Sequence, residues 1–213
     1  MTTLAKRFAL IKRKAWNLLL DLRYGGVLGG TVQTRYAGKG ATNTENTPYD
    51  VLAAIFRPGT IHSSDVLVDV GCGKGRVINW WLSRGYRNKI IGIELDPDIA
   101  DQTRQRLRRY STVSIIGGDA LENIPADGTL YYLYNPFAAS VLQVFCDRLA
   151  EVLDNSKDVR IYYYRPLHIA VFKNDPRWEV VDYRPVHSLW PELKIAVIRP
   201  SRYPRAPSRT QLE

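Results

Sequence analysis

The sequence predicts an α/β fold, an open and mostly parallel sheet with helices on both faces, and three observations carry that prediction. Residues 68–76 (VDVGCGKGR) are an apolar run that ends in an acidic residue and enters three alternate glycines, as a buried strand does when it turns sharply into a helix. Apolar strand-like runs at 89–95, 113–119 and 129–134 follow, most of them separated by helical patterns. Each run ends in polar residues, so that polar groups collect along one edge of the sheet, where open α/β sheets bind ligands.

Taken in order, residues 4–22 place Leu4, Phe8, Ile11, Ala15, Leu18, Leu19 and Leu22 at helical spacing, with Lys6, Arg7, Arg13 and Lys14 on much of the remaining surface. This is an amphipathic helix. Its stripe is expected to pack on the domain core or on a twin subunit, with a weak membrane-surface contact as the alternative. Residues 24–46 are rich in Gly, Thr and Asn. They form a linker or a cover loop, and Tyr36 and Lys39 put it within reach of a ligand. Thr47 and Pro48 introduce a helix at 50–56, which Pro58 and Gly59 end. Further helices are expected at 74–84, 97–110, 138–153 and 167–172, and further strands at 160–164, 178–183 and 194–198. Arg104, Arg106, Arg108 and Arg109 fall mostly off the apolar stripe of the helix at 97–110 and read as a solvated face. The organisation is a basic helix and cover loop (1–46), an α/β domain (47–200) and a disordered tail (201–213).

Composition bounds the class. The 213 residues, 45% of them hydrophobic, with five tryptophans, suffice for one sizeable core. Cys72 and Cys146 have no metal-ligand spacing, so neither a disulfide framework nor a metal site is indicated, and a reducing, cytoplasmic setting is expected. No run approaches the roughly 18 uninterrupted apolar residues of a membrane span. The net charge of +9 is concentrated at the ends: residues 1–23 hold six basic and one acidic side chain, and residues 199–213 hold four and one. The domain between them is nearly neutral. That argues for an interaction arm or a solubility device more than for a nucleic-acid groove, although a nucleic-acid acceptor is not excluded.

The strand ends carry the chemistry. Gly71, Gly73 and Gly75 let the backbone approach a ligand closely. Glu94, 21 residues after Gly73, stands where a carboxylate accepts both hydroxyls of a ribose. Asp119 ends the third run after two glycines, and Asn135, Pro136 and Phe137 end the fourth. A dinucleotide needs a small residue at the third position of G-x-G-x-x-G, and here that position is Arg76. The spacing suits a nucleoside with an amino-acid tail and disfavours an NAD-dependent oxidoreductase.

At these residues the sequence resembles the class I S-adenosylmethionine-dependent methyltransferases, over roughly residues 49–200. Residues 47–59 are also similar to the segment preceding the core in small bacterial enzymes resembling non-SET protein lysine methyltransferases. The resemblance implies seven strands in a Rossmann-like, doubly wound sheet with a C-terminal antiparallel hairpin, the last strand inserted between the fifth and sixth. It implies S-adenosyl-L-methionine as cofactor. Asp69, Gly71, Gly73 and Gly75 would lie beside the methionine portion, Glu94 on the ribose, Leu95 on the adenine face, and Asp119 with the Ala120 backbone on the adenine edge. Asn135, Pro136 and Phe137 would adjoin the transferred methyl group, where the family often has N/D-P-P-Y/F. The single proline departs from that tetrapeptide and weakens an amide or nucleobase nitrogen as acceptor.

Competing readings are plain structural ones. Asp119 can cap the following segment, and Asp96 before Pro97 is an N-cap. Asn135-Pro136 can be a strand-ending turn. Cys72 reads as a small loop filler, since no histidine is close in sequence to activate it. For catalysis, Asn135 is the expected acceptor-orienting residue, and His168, after the fifth strand, is preferred to His187 as a base. Pro136, Phe137 and Tyr36 are expected at the acceptor. The acceptor class stays open among a small molecule, a protein side chain and RNA, and a non-catalytic binding module is the rival from another class.

Overall fold

The computed structural model describes residues 3–43, 45–153 and 158–201. The chain runs α1 (Thr3–Arg23), one 3-10 turn (Ala37–Lys39), α2 (Tyr49–Ile55), β1 (Val66–Val70), α3 (Arg76–Ser83), β2 (Lys89–Glu94), α4 (Pro97–Leu107), β3 (Val113–Gly117), β4 (Leu130–Tyr134), α5 (Ala139–Val152), β5 (Arg160–Tyr164), α6 (Ala170–Lys173), β6 (Trp178–Pro185) and β7 (Lys194–Pro200). The seven strands form one sheet in the order β3-β2-β1-β4-β5-β7-β6. The first five are mutually parallel, and β7 pairs antiparallel with both β5 and β6. The expected seven strands and the inserted last strand are both present. All but Ser201 of the tail predicted to be disordered lies outside the described residues.

Strand alternation divides the apolar side chains between two cores. On one face, Leu67, Tyr132, Tyr162 and Tyr164 pack with α2 and α3 through Leu52, Ile55, Phe56 and Trp81. On the other, Val68, Tyr131, Leu133 and Tyr163 pack with α5 and α6 through Leu142, Phe145, Leu149 and Phe172. This alternation absorbs most of the aromatic residues in LYYLY and RIYYY, leaving Tyr134 half-exposed at the sheet edge. Asp96 caps α4 by accepting from the Asp98 and Ile99 N–H groups, with Pro97 in the first turn. Such a cap contributes about 1 kcal/mol.

Two expectations are corrected. The apolar stripe of α1 does not pack on the core: Phe8, Ile11, Leu18, Leu19 and Leu22 are exposed. The helix is seated by its polar side instead. Arg13 donates to Asp50, Asn17 accepts the Tyr49 N–H, and Asp21 is buried against Arg76. Residues 13, 17 and 21 lie one above another at i, i+4 spacing, so one polar ridge meets α2 and α3. The second correction concerns Arg106, which is no part of a solvated face. Its guanidinium donates to the Tyr24, Lys74 and Asn79 oxygens and ties α4 to the glycine loop. Arg104 likewise donates to the Ile115 carbonyl.

Candidate active site

The strand order reverses at β1, whose neighbours are β2 and β4. Chain segments leave that point in opposite directions, and a crevice opens beyond the carboxyl ends of the strands. There a cleft is lined by Gly71 after β1, Glu94 and Leu95 at β2, Asp119 and Ala120 after β3, and Tyr134, Pro136 and Phe137 at β4. Gly71 has φ +73, and a Cβ there would lie 3.2 Å from the Pro136 Cβ. Glycine therefore lets the β1 loop close against the end of β4. Gly73 and Gly75 also have positive φ, but they shape the loop without lining the cleft.

Glu94 is buried and holds the glycine loop. Its two carboxylate oxygens accept from the Gly73 N–H (2.8 Å) and the Asp96 N–H (2.9 Å). A carboxylate has about four acceptor positions, so capacity remains on the side facing the cleft. Burial pushes its pKa up, against hydrogen bonds from the Asp96, Gly73 and Leu95 backbone N–H groups. Asp69 lies behind the loop, buried, and its Oδ2 has no hydrogen-bond partner among the described residues. Burial first, and the Glu94 charge second, hold the Asp69 pKa well above the usual carboxylate range. A buried, unpaired carboxylate is costly, and a cationic partner would relieve it.

The other predicted residues divide. Leu95 and Ala120 line the cleft, with Ile93 and Ile99 adding apolar wall. Asp119 lines it too, but its Oδ1 also accepts the Leu121 N–H at 2.9 Å, so the capping role is present alongside any ligand role. Asn135 does not line the main cleft. It has φ +42 and borders an adjoining space together with Thr42, Asn43, Glu45, Tyr134, Arg165 and Leu167. Tyr163 donates its hydroxyl to Asn135 Oδ1 at 2.7 Å, which fixes the amide and leaves the NH₂ without a hydrogen bond among the described residues. His168 borders neither space; its backbone N–H donates to the Tyr163 hydroxyl. His187 sits away from the cleft, 3.4 Å from Asp50 and against Trp190. Cys72 is buried, and burial pushes its thiol pKa well up, consistent with a loop filler.

Described residues of the segment 24–46 lie along this cleft as a cover. Gln33, Thr34, Tyr36, Ala41, Thr42, Asn43 and Glu45 form its outer wall. One side is pinned by Arg35, which donates to Asp96 and Asp98 at 2.7–3.2 Å. The other side is pinned to the β4 end: Ala41 bridges Phe137, Thr42 donates to the Asn135 and Pro136 carbonyls, and Ala138 donates to the Gly40 carbonyl. Tyr134 donates to Glu45 at 2.8 Å. The Lys39 side chain lies outside the described residues. Arg35, Thr42 and Glu45 are the site residues that sequence reasoning missed. The available signal was the length of a 23-residue segment with almost no regular structure, which such a loop needs a function to explain.

Comparison with known proteins agrees with this geometry. A family model described as a methyltransferase domain matches residues 67–159. A probable cobalt-precorrin-6B C(15)-methyltransferase (decarboxylating) from Archaeoglobus fulgidus is 30% identical over 76 residues, 36% of this chain and 44% of that protein. The chain thus matches less than half the length of that relative. Among solved structures, an RNA methyltransferase from Salinibacter ruber in complex with S-adenosyl-L-homocysteine superposes with TM-score 0.56 and 22% identity, covering 76% of this chain and 97% of that one. The mitomycin 7-O-methyltransferase MmcR gives TM-score 0.57 and 16% identity, over 72% of this chain and 53% of that one. Identities this low carry the fold alone.

Proposed function

We propose that this chain, whose residues 67–159 match a methyltransferase-domain family model, is a class I, S-adenosylmethionine-dependent methyltransferase that transfers a methyl group to a nitrogen or oxygen acceptor on a small molecule or protein. The observation that carries the reading is the pair of buried carboxylates at the β1 and β2 ends. Glu94 keeps free acceptor capacity beside the cleft, and Asp69 Oδ2 is orphaned behind the glycine loop. These residues fit S-adenosylmethionine: Asp69 would hold its ammonium group, Glu94 its ribose hydroxyls, Leu95 and Ile99 its adenine face, and Asp119 and Ala120 the adenine edge. The cofactor's sulfonium supplies an electrophilic methyl group.

The protein's task is then to orient an acceptor and take its proton where it has one. The space beside Asn135 is the acceptor side. Asn135 Oδ1 is occupied by Tyr163, its carbonyl by the Thr42 hydroxyl, and the Pro136 carbonyl by the Thr42 N–H. The Asn135 NH₂ has no hydrogen bond among the described residues and can donate to the acceptor atom, while Glu45, whose carboxylate keeps spare acceptor positions, borders the same space. That pairing of a donor with a carboxylate suits a hydroxyl acceptor. Glu45, which borders both spaces, is the carboxylate that would receive the hydroxyl proton. The cover residues exclude water from the reacting groups.

Calorimetric titration tests the cofactor. Binding of S-adenosylhomocysteine without binding of NAD or NADP is expected, because Arg76 is committed to Asp21 and leaves no pyrophosphate seat. The opposite pattern overturns the reading. Turnover of labelled S-adenosylmethionine with fractionated cell extract then separates small-molecule, protein and RNA acceptors by the size of the labelled product.

A further inference from the structure

The outward face of α1 is apolar, basic-edged and, among the described residues, unpartnered. Phe8, Ile11, Leu19 and Leu22 are 59%, 65%, 62% and 54% exposed, and Ala15 and Leu18 complete the stripe. These positions lie within about 100° of one another on a 3.6-residue helix. Arg7 and Lys14 follow one edge of the stripe, Lys12 and Arg23 the other, and all four are exposed. Trp16 (57%) and Val27 (65%) extend the exposed apolar surface. The opposite face is already used, since Arg13, Asn17 and Asp21 seat the helix on α2 and α3. The stripe therefore cannot rotate inward without breaking a buried ion pair.

We infer that α1 docks the protein on an anionic lipid bilayer, lying in the interface plane with its stripe toward the acyl chains. Two features choose this occupant. The one acidic side chain in residues 1–23 is Asp21, which is buried against Arg76, so every exposed charge on the helix is positive. A cationic-edged apolar stripe complements an anionic surface, and long basic side chains reach outward from its edges to lipid phosphates. A second copy of the helix would instead bring basic edge against basic edge. The helix rests on the surface without crossing it: among the described residues, no helix is long and apolar enough to span a membrane.

Co-sedimentation of the full chain with phosphatidylcholine vesicles, with and without phosphatidylglycerol, tests the inference. Binding to phosphatidylglycerol-containing vesicles and not to phosphatidylcholine alone is expected, weakening as salt is raised. Ile11→Ser and Leu19→Ser each lower that binding roughly tenfold or more, the scale of withdrawing one large apolar side chain from water. Lys12→Glu with Lys14→Glu also lowers it. Because all four side chains are exposed, melting temperatures stay at the parent value, which separates lost docking from lost folding. Absence of vesicle binding by the parent chain overturns the inference. So does a stable dimer in sedimentation equilibrium that Ile11→Ser and Leu19→Ser dissociate, since a second copy would then cover the stripe.

Discussion

Arg76 on α3 and Asp21 on α1 form a two-point ion pair, 3.0 Å from Nε to Oδ1 and 2.5 Å from Nη2 to Oδ2, with both side chains almost fully buried. Asp21 also accepts from the Tyr49 hydroxyl and the Leu28 N–H, so one carboxylate joins α1, α2, α3 and the start of the cover. Asp21→Ala strands a buried guanidinium and is expected to cost about 3–5 kcal/mol in chemical denaturation. The double replacement Asp21→Leu, Arg76→Met removes both charges and is expected to be milder than Asp21→Ala. A cost below about 1 kcal/mol for the single variant would remove the pair from its anchoring role.

That pair also marks where the sequence stopped being legible. Strand ends and glycine positions were readable because they reflect local constraints: an apolar run of the right length, or a backbone that must turn within two residues. The same holds for Asp96, whose capping contacts lie two and three residues away. The seat of α1 was not readable. Hydrophobic periodicity selects the apolar stripe, whereas the packed ridge of Arg13, Asn17 and Asp21 makes sense only with Asp50, Tyr49 and Arg76 in place. Arg106 was misread for a similar reason, because its three carbonyl and amide partners come from separate segments. Glu45 lies in a segment without period, and its closeness to Tyr134 spans 89 residues of sequence.

Glu94 has two duties, and its variants should show both. Glu94→Ala is expected to lose about 1.5–3 kcal/mol of cofactor affinity, the range for a hydrogen bond to a charged group. It should also lower the melting temperature, because the buried Gly73 and Asp96 N–H groups lose their acceptor. Glu94→Gln keeps one acceptor oxygen and should fall between. Unchanged S-adenosylhomocysteine binding by a folded Glu94→Ala protein would move the ribose site elsewhere.

The raised Asp69 pKa makes a signed prediction. A carboxyl whose folded-state value lies above its unfolded value stabilises the fold below the unfolded value, and that contribution is lost as pH rises through the folded one. The ligand-free protein should therefore gain stability on acidification through the raised range, with Glu94 acting in the same direction. Asp69→Asn should flatten the dependence. An ammonium group prefers the ionised carboxylate, so cofactor binding should release protons and tighten as pH rises. Calorimetry in buffers of different ionisation enthalpy counts those protons, and none released would detach Asp69 from the ammonium.

Gly92, in the middle of β2, is needed for space. A Cβ there would lie 2.8 Å from the Cys72 Sγ, 2.9 Å from the Ile115 Cδ1 and 3.0 Å from the Ile78 Cδ1. Gly92→Ala should cost about 1–3 kcal/mol through overpacking. Adding Cys72→Ala should recover part of that cost and make the two changes non-additive, which denaturation of the four proteins in the cycle measures. Strict additivity would show that the two sites do not press on one another.

Glu45 allows a structural role to be separated from a chemical one. As a pin, it accepts the Tyr134 hydroxyl at 2.8 Å and stands 3.6 Å from Arg165, and Glu45→Gln keeps an oxygen able to accept that hydroxyl. The cover should therefore stay docked, and S-adenosylhomocysteine affinity should change little. As a base, the amide cannot take a proton, so kcat toward a hydroxyl acceptor should fall about 10²–10⁴-fold, the usual contribution of a positioned base. Tyr134→Phe removes the pin and keeps the carboxylate, so it should raise KM more than it lowers kcat. A Glu45→Gln enzyme with parental kcat would leave Glu45 as a pin alone.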